Sequence, residues 1–265
     1  MTEWGLDGRV VVVTGAGRGI GRTIAQRFSE AGATVAALDV VLDGVQEFAD
    51  DVRSAGGRAA AVGCDVTDMA SVTGALAEVA GMFGGIDVLV NNAGINVEGA
   101  VEDLSDATFS RCLDVNVTGV FRVSQAAIPY LKKSGHGRVI NAASFAAIVP
   151  SVGSAAYAAS KAAVVQFTRV LAGELGPWDV TVNAYAPGMI PTAMNGFAEL
   201  PADAQARLLD TLTLRRWGDA AEVADLLLFL ASDASRYITG ALIDVSGGKF
   251  ATQIPAKAYE RAGLL

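Results

Sequence analysis

Short apolar runs alternate with longer amphipathic segments along almost the whole chain, and this alternation constrains the fold more than any other feature. Each run has the length and composition of a strand that is buried on both faces. Strands that alternate with helices predict an α/β fold, a doubly wound three-layer arrangement around a parallel sheet of about seven strands. The strands are expected at residues 9–15, 34–40, 59–66, 87–94, 138–144, 180–188 and 241–248, and helices at 19–31, 42–55, 71–83, 155–175 and 220–231.

Composition narrows the class of protein. Apolar residues make up 52% of the 265 residues and charged residues 18%, as expected of a compact globule. The formal net charge of −8 argues against nucleic acid as a partner. Two cysteines without metal-ligand spacing predict no metal site, and they favour a reducing compartment. We expect no signal peptide and no membrane span, hence a cytoplasmic protein.

The chain shows no internal repeat and no break in composition, so we expect a single domain over residues 1–265. The path of two segments is hard to predict. Residues 189–218 follow a Pro-Gly breaker and are expected to form a mobile substrate-binding segment. Residues 249–265 form a tail that would lie over the chain's own active site or over a neighbour's.

A glycine-rich loop ends the first expected strand and opens the first helix, with glycines at positions 15, 17, 19 and 21. Glycines allow a tight turn and let a pyrophosphate approach the amides at a helix N-terminus. The spacing is TGxxxGxG rather than GxGxxG, because Ile20 occupies the third glycine position of the latter pattern. The alternative is a tight connector without a ligand.

Asp39 ends the second expected strand, 24 residues after Gly15. An acid near this offset hydrogen-bonds the adenosine ribose hydroxyls of a dinucleotide and repels a 2′-phosphate. NAD is therefore predicted in preference to NADP. Arg18 is the contrary signal, since it could reach a 2′-phosphate, and Asp39 could instead cap the following helix.

Tyr157 and Lys161 are four residues apart in an expected helix and therefore share one face. A nearby ammonium stabilises a phenolate and lowers the pKa of a tyrosine, which suits the tyrosine for proton exchange. For an isolated pair of this kind, a surface lysine beside a half-buried tyrosine is the common alternative.

Further motifs accompany this pair in a fixed order: TGAGRGIG at 14–21, Asp65 in CDV, NNAG at 91–94, Asn116 in DVNVTG, Ser144 in NAAS, YAASK at 157–161 and PGMIPT at 187–192. With these motifs, the chain resembles the single-domain short-chain dehydrogenase/reductase family over nearly its whole length. The resemblance implies a Rossmann-like fold and an oxidoreductase that acts on CH–OH groups.

The resemblance also assigns the catalytic set. Tyr157 is the expected acid/base and Ser144 the hydrogen-bond donor to the reacting oxygen. Lys161 is expected to lower the tyrosine pKa and hold the nicotinamide ribose, while Asn116 positions a water. The alternative roles are structural: Ser144 would only cap a helical turn, and Asn92 and Asn116 would only connect strand ends to neighbouring helices.

The remaining implied contacts concern cofactor and substrate. The cofactor set that the resemblance completes is Gly15, Arg18, Gly19, Ile20, Gly21, Asp39, Asp65, Val66, Asn92, Ala93, Gly94, Tyr157, Lys161, Pro187, Gly188, Ile190 and Thr192. The expected substrate contacts are Asn96, Ser144, Phe145, Val152, Tyr157 and Met189. Two roles are considered for Arg215 and Arg216: contact with an anionic substrate, or ion pairing with neighbouring carboxylates.

The predicted reaction is NAD-dependent interconversion of a secondary alcohol and a ketone in a polyol, sugar, hydroxy acid or cyclic compound. One alternative is an NADPH-dependent 3-oxoacyl-[acyl-carrier-protein] reductase. This alternative is disfavoured because Gly135 and Trp178 stand at the positions that match its docking arginines, and because Asp39 is present. The other alternative is a dinucleotide-binding protein without turnover. The resemblance further implies a homotetramer.

Overall fold

Seven parallel strands form the sheet of this protein, whose computed structural model describes residues 4–264. Two parts of the sequence lie outside the described residues: residues 1–3, in the segment where no signal peptide is expected, and residue 265 of the tail. The strands are β1 (Val10–Thr14), β2 (Thr34–Asp39), β3 (Ala59–Gly63), β4 (Val88–Asn91), β5 (Arg138–Ala142), β6 (Thr181–Pro187) and β7 (Leu242–Val245). Their order is β3-β2-β1-β4-β5-β6-β7, so the predicted doubly wound α/β fold is confirmed.

Eight helices lie between successive strands: α1 (Gly19–Glu30), α2 (Leu42–Ser54), α3 (Met69–Phe83), α4 (Asp106–Leu113), α5 (Gly119–Ser134), α6 (Ala155–Leu175), α7 (Ala202–Leu209) and α8 (Ala220–Ala231), in the described part of the chain. A further helix, α9 (Ala256–Arg261), follows β7. The five helices expected from the sequence are present within two residues of their bounds. A π-helical turn, Asp114–Thr118, joins α4 to α5. None of the helices in residues 4–264 is long and apolar enough to cross a membrane.

Alternate residues along the strands point to opposite faces of the sheet and pack into two separate hydrophobic clusters. On one face of the sheet, Val11 and Val13 pack in a cluster with the buried rings of Phe28 and Phe48 from α1 and α2, and with α8. On the other face, Val10 and Val12 join residues of α3, α5 and α6. Full burial of a side chain as large as phenylalanine contributes about 1.5–3 kcal/mol, so both layers are held by their apolar faces.

The strand order reverses between β1 and β4, which are neighbours in the sheet. In doubly wound sheets a ligand crevice opens at such a switch point, beyond the carboxyl ends of the strands. The glycine loop follows β1, NNAG follows β4, and Ser144 lies just after β5. The fold therefore gathers motifs from distant parts of the sequence at one edge of the sheet.

We expect two glycine-to-alanine changes to have opposite effects on stability. A Cβ at Gly21 would overlap the carbonyl oxygen of Gly15 and the Nδ2 atom of Asn92, so Gly21→Ala should lower the free energy of unfolding by about 1–3 kcal/mol. In the described structure, a Cβ at Gly74 in α3 meets nothing within 4 Å. Gly74→Ala should therefore raise that free energy by about 0.5–1 kcal/mol.

Chemical denaturation of both variants beside the unaltered protein measures the two effects. Equal stability of the Gly21→Ala variant and the unaltered protein would show that α1 does not pack against the loop as closely as described.

Candidate active site

The glycine loop is pressed against the end of β4. Gly15 has a φ of +65°, and a Cβ there would lie 2.8 Å from the Cα of Ala93. The Thr14 hydroxyl oxygen accepts hydrogen bonds from the backbone N–H groups of Asn92 and Ala93, both at 3.1 Å. Glycine at position 15 is therefore required by conformation and by space, which a tight connector alone would not explain.

The N-terminus of α1 is suited to an anion. Arg18 is its N-cap and has an extended backbone. Within the described chain, the Arg18 side chain makes no capping hydrogen bond, and the first turn of the helix contains no acidic residue. The N–H groups of the first turn, at Gly19, Ile20 and Gly21, lack intrahelical partners, as they do in any helix. These amides and the helix dipole together fit a pyrophosphate.

Asp39 is joined to the glycine loop rather than to the helix that follows it. Its Oδ2 accepts the N–H of Gly17 at 3.0 Å, and its Oδ1 accepts the N–H of Val41 at 3.1 Å. Because Val41 is the N-cap of α2, the capping alternative for Asp39 does not hold. The carboxylate lies beside the loop, where it can accept hydrogen bonds from ribose hydroxyls, while Arg18 is exposed.

Asn92 holds the loop and strand ends together. Its Nδ2 donates to the carbonyl oxygens of Thr14 and Gly15, both at 3.1 Å, and its Oδ1 accepts the hydroxyl of Tyr185 at 3.1 Å. Because both the Nδ2 and the Oδ1 of Asn92 already have protein partners, the structure favours the alternative role in which Asn92 connects neighbouring chain segments. What this stretch offers a dinucleotide directly is the backbone at Ala93 and Gly94.

Asp65 and Val66 follow β3 at the same edge of the sheet. Asp65 Oδ1 accepts hydrogen bonds from the N–H and hydroxyl of Thr67, at 2.9 and 2.7 Å. These bonds hold the pKa of Asp65 below its usual range. Val66 packs so closely on Gly119 that a Cβ at that glycine would lie 2.9 Å from its side chain. Both residues are thus fixed where the adenine contact is predicted.

The loop after β6 closes the crevice from the opposite side. Pro187 ends the strand, and a Cβ at Gly188 would lie 2.5 Å from the Cα of Ser246, so only glycine fits between the two chain segments. Ile190 is buried, and the Thr192 methyl lies 3.8 Å from where a Cβ of Gly19 would be. The loop therefore reaches from the sheet back to the start of α1.

Lys161 is buried beneath the crevice. Its Nζ donates to the carbonyl oxygen of Ala142 at 2.8 Å and lies 5.6 Å from the ring centroid of Tyr157. The surface alternative for this lysine is therefore wrong, because the side chain is 4% exposed. Burial lowers the pKa of Lys161 to about 8.

Tyr157 and Ser144 meet at the end of β5. Ser144 Oγ accepts the N–H of Ala146 at 3.1 Å, so the serine does cap a short helical turn, and its hydroxyl proton is left to be donated elsewhere. Burial raises the pKa of Tyr157, whereas hydrogen bonding with Ser144 acts to lower it. The downward shift expected from Lys161 is therefore not found: the pKa of Tyr157 is raised, because desolvation disfavours the phenolate.

Asn116 lies in the π-helical turn and is fully buried. Its Oδ1 accepts the N–H of Ile95 at 2.8 Å, and its Nδ2 donates to the Ile95 carbonyl oxygen and to Ser160 Oγ. A Cβ at Gly94 would lie 3.2 Å from Asn116 Oδ1 and 3.5 Å from Lys161 Nζ. Glycine therefore keeps the space between amide and ammonium free of a side chain, as a water or a ribose hydroxyl at this place requires.

Two contributors to this site were missed by the sequence reasoning. Ser160 donates its hydroxyl to the carbonyl oxygen of Tyr157 at 2.7 Å while it accepts from Asn116. Tyr185 supports Asn92 from β6. Ser160 lies within the YAASK motif, so its position next to Lys161 was a usable signal; Tyr185 gave none.

The predicted substrate contacts differ in burial and in their surroundings. Phe145 lies beside Ser144 and is partly buried, and Met189 is buried at the start of the segment after β6. Asn96 donates its Nδ2 to Glu98 at 2.9 Å, in a loop that pairs with Ser154 through Gly99. Val152 is fully exposed, so it would contact substrate only at the mouth of the crevice.

Arg215 and Arg216 are ion-pair partners. Arg215 reaches Asp210 at 2.8 Å, and Arg216 pairs with Glu222 in the first turn of α8. The open question about these two cations is thereby resolved for this structure: both are neutralised by neighbouring carboxylates.

Known proteins resemble the chain over most of its length. A family model described as enoyl-(acyl carrier protein) reductase matches residues 15–249. An uncharacterised short-chain type dehydrogenase/reductase of Sinorhizobium fredii is 41% identical over 92% of this chain and 98% of its own. A 3-oxoacyl-[acyl-carrier-protein] reductase of Thermotoga maritima is 37% identical over the same shares. The crystal structure of a putative short-chain alcohol dehydrogenase from Sinorhizobium meliloti superposes with a TM-score of 0.89 at 36% identity, covering 94% of this chain and 99% of that one.

Removing the buried ammonium should stabilise the cofactor-free protein near neutral pH. A fall of the lysine pKa from 10.5 to about 8 corresponds to about 3 kcal/mol, and the lost hydrogen bond to Ala142 offsets about 1 kcal/mol of this. We therefore expect Lys161→Met to raise the free energy of unfolding by about 1–2 kcal/mol at pH 7, measured by urea denaturation.

The sign of the pH dependence follows from the same shift. Between pH 8 and pH 10.5 the unfolded chain binds more protons at this lysine than the folded chain, so the unaltered protein gains stability as pH rises. The advantage of the variant should shrink to nothing over that range. Arg169→Met, which removes an exposed cation from the same helix, is the control. A constant difference between Lys161→Met and the unaltered protein would contradict burial of a titrating lysine.

Proposed function

The chain belongs to the short-chain dehydrogenase/reductase family, and we propose that it is an NAD-dependent enzyme that interconverts a secondary alcohol and a ketone. The observation that carries the proposal is the convergence of Tyr157, Ser144 and Lys161 at the carboxyl edge of the sheet, beside a glycine loop to which Asp39 is hydrogen-bonded. Family members bind a nicotinamide dinucleotide and act on small-molecule CH–OH groups.

Each polar group at the reacting end has a distinct task. Tyr157 takes the hydroxyl proton of the alcohol during oxidation and returns it during reduction. Ser144 donates its hydroxyl proton to the same oxygen, since the bond from the Ala146 N–H uses only a lone pair of Oγ and leaves the proton free, and so stabilises charge that develops there. The ammonium of Lys161 offsets the desolvation that otherwise disfavours the phenolate.

Asn116 is the positioning residue in this proposal. Its side chain is fixed by Ile95 and Ser160, so Oδ1 is aimed at the space beside Gly94 and Lys161. A water held between Asn116 and Lys161 would give the proton a route away from Tyr157. Such a route matters because Asn116 and Lys161 are buried and Tyr157 is partly buried.

The crevice fits a nicotinamide dinucleotide. The first-turn amides of α1 would hold the pyrophosphate, Asp39 the adenosine ribose, Asp65 and Val66 the adenine, and the loop from Pro187 to Thr192 the carboxamide end. When bound, this group supplies the hydride acceptor or donor. The burial of Ile190 and the closeness of Thr192 to Gly19 support a closed position for that loop.

NAD is the proposed cofactor because a carboxylate occupies the ribose position. Asp39 is anchored by two backbone N–H groups and cannot readily turn away from a 2′-phosphate, so a phosphate there would meet its charge. Val40 and Val41, the next residues, are exposed and uncharged. Arg18 is the one cation at the loop that opposes this reading.

A 3-oxoacyl-[acyl-carrier-protein] reductase is the second candidate, and the similarity to the Thermotoga maritima enzyme favours it. The positions that match the docking arginines of such enzymes weigh against it. Gly135 has no side chain, and the ring of Trp178 is covered by Lys132, whose Nζ is 3.4 Å from the ring centroid. A dinucleotide-binding protein without turnover is disfavoured by the intact set of Tyr157, Lys161 and Ser144.

We also propose a homotetramer in a reducing compartment, the cytoplasm. Phe121 of α5 and Phe167 of α6 stack edge to face, and Phe121 and Val170 leave exposed apolar surface on these helices. Such surface suits contact between subunits. Cys64 and Cys112 are both buried free thiols, which suits a compartment where disulfides do not form.

The cofactor assignment is tested by calorimetric titration with NADH and NADPH in parallel. The unaltered protein should bind NADH at least about tenfold more tightly, a difference of about 1.4 kcal/mol. Asp39→Asn keeps an acceptor for the backbone but removes the charge, and should erase most of this preference. Arg18→Ala should leave NADH binding unchanged within about threefold.

Tighter NADPH binding by the unaltered protein, lost in Arg18→Ala, would contradict the proposal and move the reductase candidate to first place. The same preparations then separate the reactions. NADH formation from NAD and a panel of secondary alcohols is expected to exceed NADPH consumption with acetoacetyl-CoA, and the reverse order would favour the reductase.

A further inference from the structure

Lys249 begins the tail after β7, and hydrogen bonds hold its own N–H and the backbone that leads into it. Its N–H donates to Ser246 Oγ at 3.0 Å. The carbonyl oxygen of Gly248 accepts the hydroxyl of Thr213 at 2.9 Å, and that of Gly247 accepts the N–H of Leu214 at 3.0 Å. This lysine is therefore held in place by its backbone, unlike a lysine on a free surface loop.

The side chain of Lys249 points towards the ring of Phe145, the residue after Ser144. Its Nζ donates to Thr211 Oγ1 at 2.6 Å and lies 5.7 Å from the ring centroid of Phe145. Phe145 directly follows Ser144, and Thr211 lies just beyond α7 in the proposed substrate-binding segment. The ammonium thus lies between that segment and the residue next to the hydroxyl donor.

This ammonium has no counter-ion among residues 4–264. Arg215 and Arg216 are paired with Asp210 and Glu222, but no carboxylate oxygen of the described residues lies within 4 Å of Lys249 Nζ. Its recorded partners are a hydroxyl and an aromatic face, which leave further N–H donors for another group. Burial also lowers the pKa of Lys249. A partly desolvated cation with donors to spare is a favourable place for an anion.

We propose that Lys249 binds a carboxylate of the substrate, so that the enzyme acts on hydroxy acids and the matching keto acids. The inference rests on the proposed function and selects one class from its substrates. The reacting oxygen is held at Ser144 and Tyr157, the carbon chain passes along the ring of Phe145, and the carboxylate pairs with Nζ. Phe145 then separates the reacting end of the substrate from its charged end.

The C-terminal tail helps to hold this arrangement. The hydroxyl of Tyr259 in α9 donates to the carbonyl oxygen of Thr213 at 2.9 Å, and Arg215 lies over its ring at 5.8 Å from the centroid. The stretch from Thr211 to Arg215 is therefore held between the end of β7 and the tail helix. Since Lys249 bonds to Thr211, the tail supports the cation and its partner together.

Keto acids and their methyl esters provide the test. Acetoacetate, 4-oxopentanoate and 5-oxohexanoate, each beside its ester, cover three distances between ketone and carboxylate. Binding is measured by calorimetry on the protein saturated with NAD, which cannot reduce a ketone, and reduction is measured separately by loss of NADH absorbance. For the unaltered protein we expect at least one acid to bind about tenfold or more tightly than its ester.

Two lysine variants separate the local contact from the general effect of charge. Lys249→Met should weaken the preferred acid by about tenfold while changing the ester by less than about threefold, so the preference disappears. Lys257→Met removes an exposed cation from the same tail and should leave the preference intact. Unchanged NADH affinity and melting temperature of Lys249→Met establish that this variant is folded.

The proposal is overturned if acids and esters bind alike at all three lengths, or if the acid preference survives in Lys249→Met. Failure of the proposed function looks different. In that case no ketone is reduced, yet an acid preference that depends on Lys249 can still be measured by calorimetry. The two claims therefore stand or fall on separate readouts.

Discussion

The arrangement of the site depends on one buried ammonium. Lys161 reaches from α6 to the end of β5, where it bonds to the carbonyl oxygen of Ala142, and it is the cation closest to the ring of Tyr157 among the described contacts. Desolvating a lysine to this extent is unfavourable, as its lowered pKa shows. A protein core retains such a group where its charge is needed, and here it faces a tyrosine whose phenolate is disfavoured by the same burial.

Small residues make this burial possible. Helix α6 carries Ala156, Ala158 and Ser160 on buried positions around the tyrosine and lysine, so the helix can lie close to the sheet. Gly94 keeps the space between Asn116 and Lys161 free of a side chain, and the π-helical turn brings Asn116 inwards. The polar groups are thereby linked through Ser160, Asn116 and Ile95 into one hydrogen-bonded network. Replacing any of these small residues by a larger one would separate partners that the chemistry requires together.

The local sequence pattern was sufficient to predict the strands and helices whose apolar residues follow a regular pattern. Most of the seven strands were predictable because a strand covered on both faces is a continuous apolar run, although β7 is only partly buried. Helix α6 was predicted at its observed bounds, Ala155–Leu175. The π-helical turn was not predictable, because an i to i+5 bond leaves no periodic pattern in five residues. Nor was the direction of the Tyr157 pKa shift, since the sequence shows the neighbouring lysine but not the depth of burial. The place of Lys249 beside Phe145 depends on the whole sheet and on the turn after β7, so no short window contains it. The roles of the site residues remain predictions, though the structure gathers most of them at one edge of the sheet.

The most direct test of the account is the turnover of a Tyr157→Phe variant. Phenylalanine keeps the ring against Lys161 but has no proton to exchange, so we expect NADH formation from NAD and an alcohol substrate to fall by about a thousandfold or more. NADH binding, measured on the same preparation, should change by less than about threefold. A variant that retains turnover within tenfold of the unaltered protein would contradict the central claim that Tyr157 carries the proton.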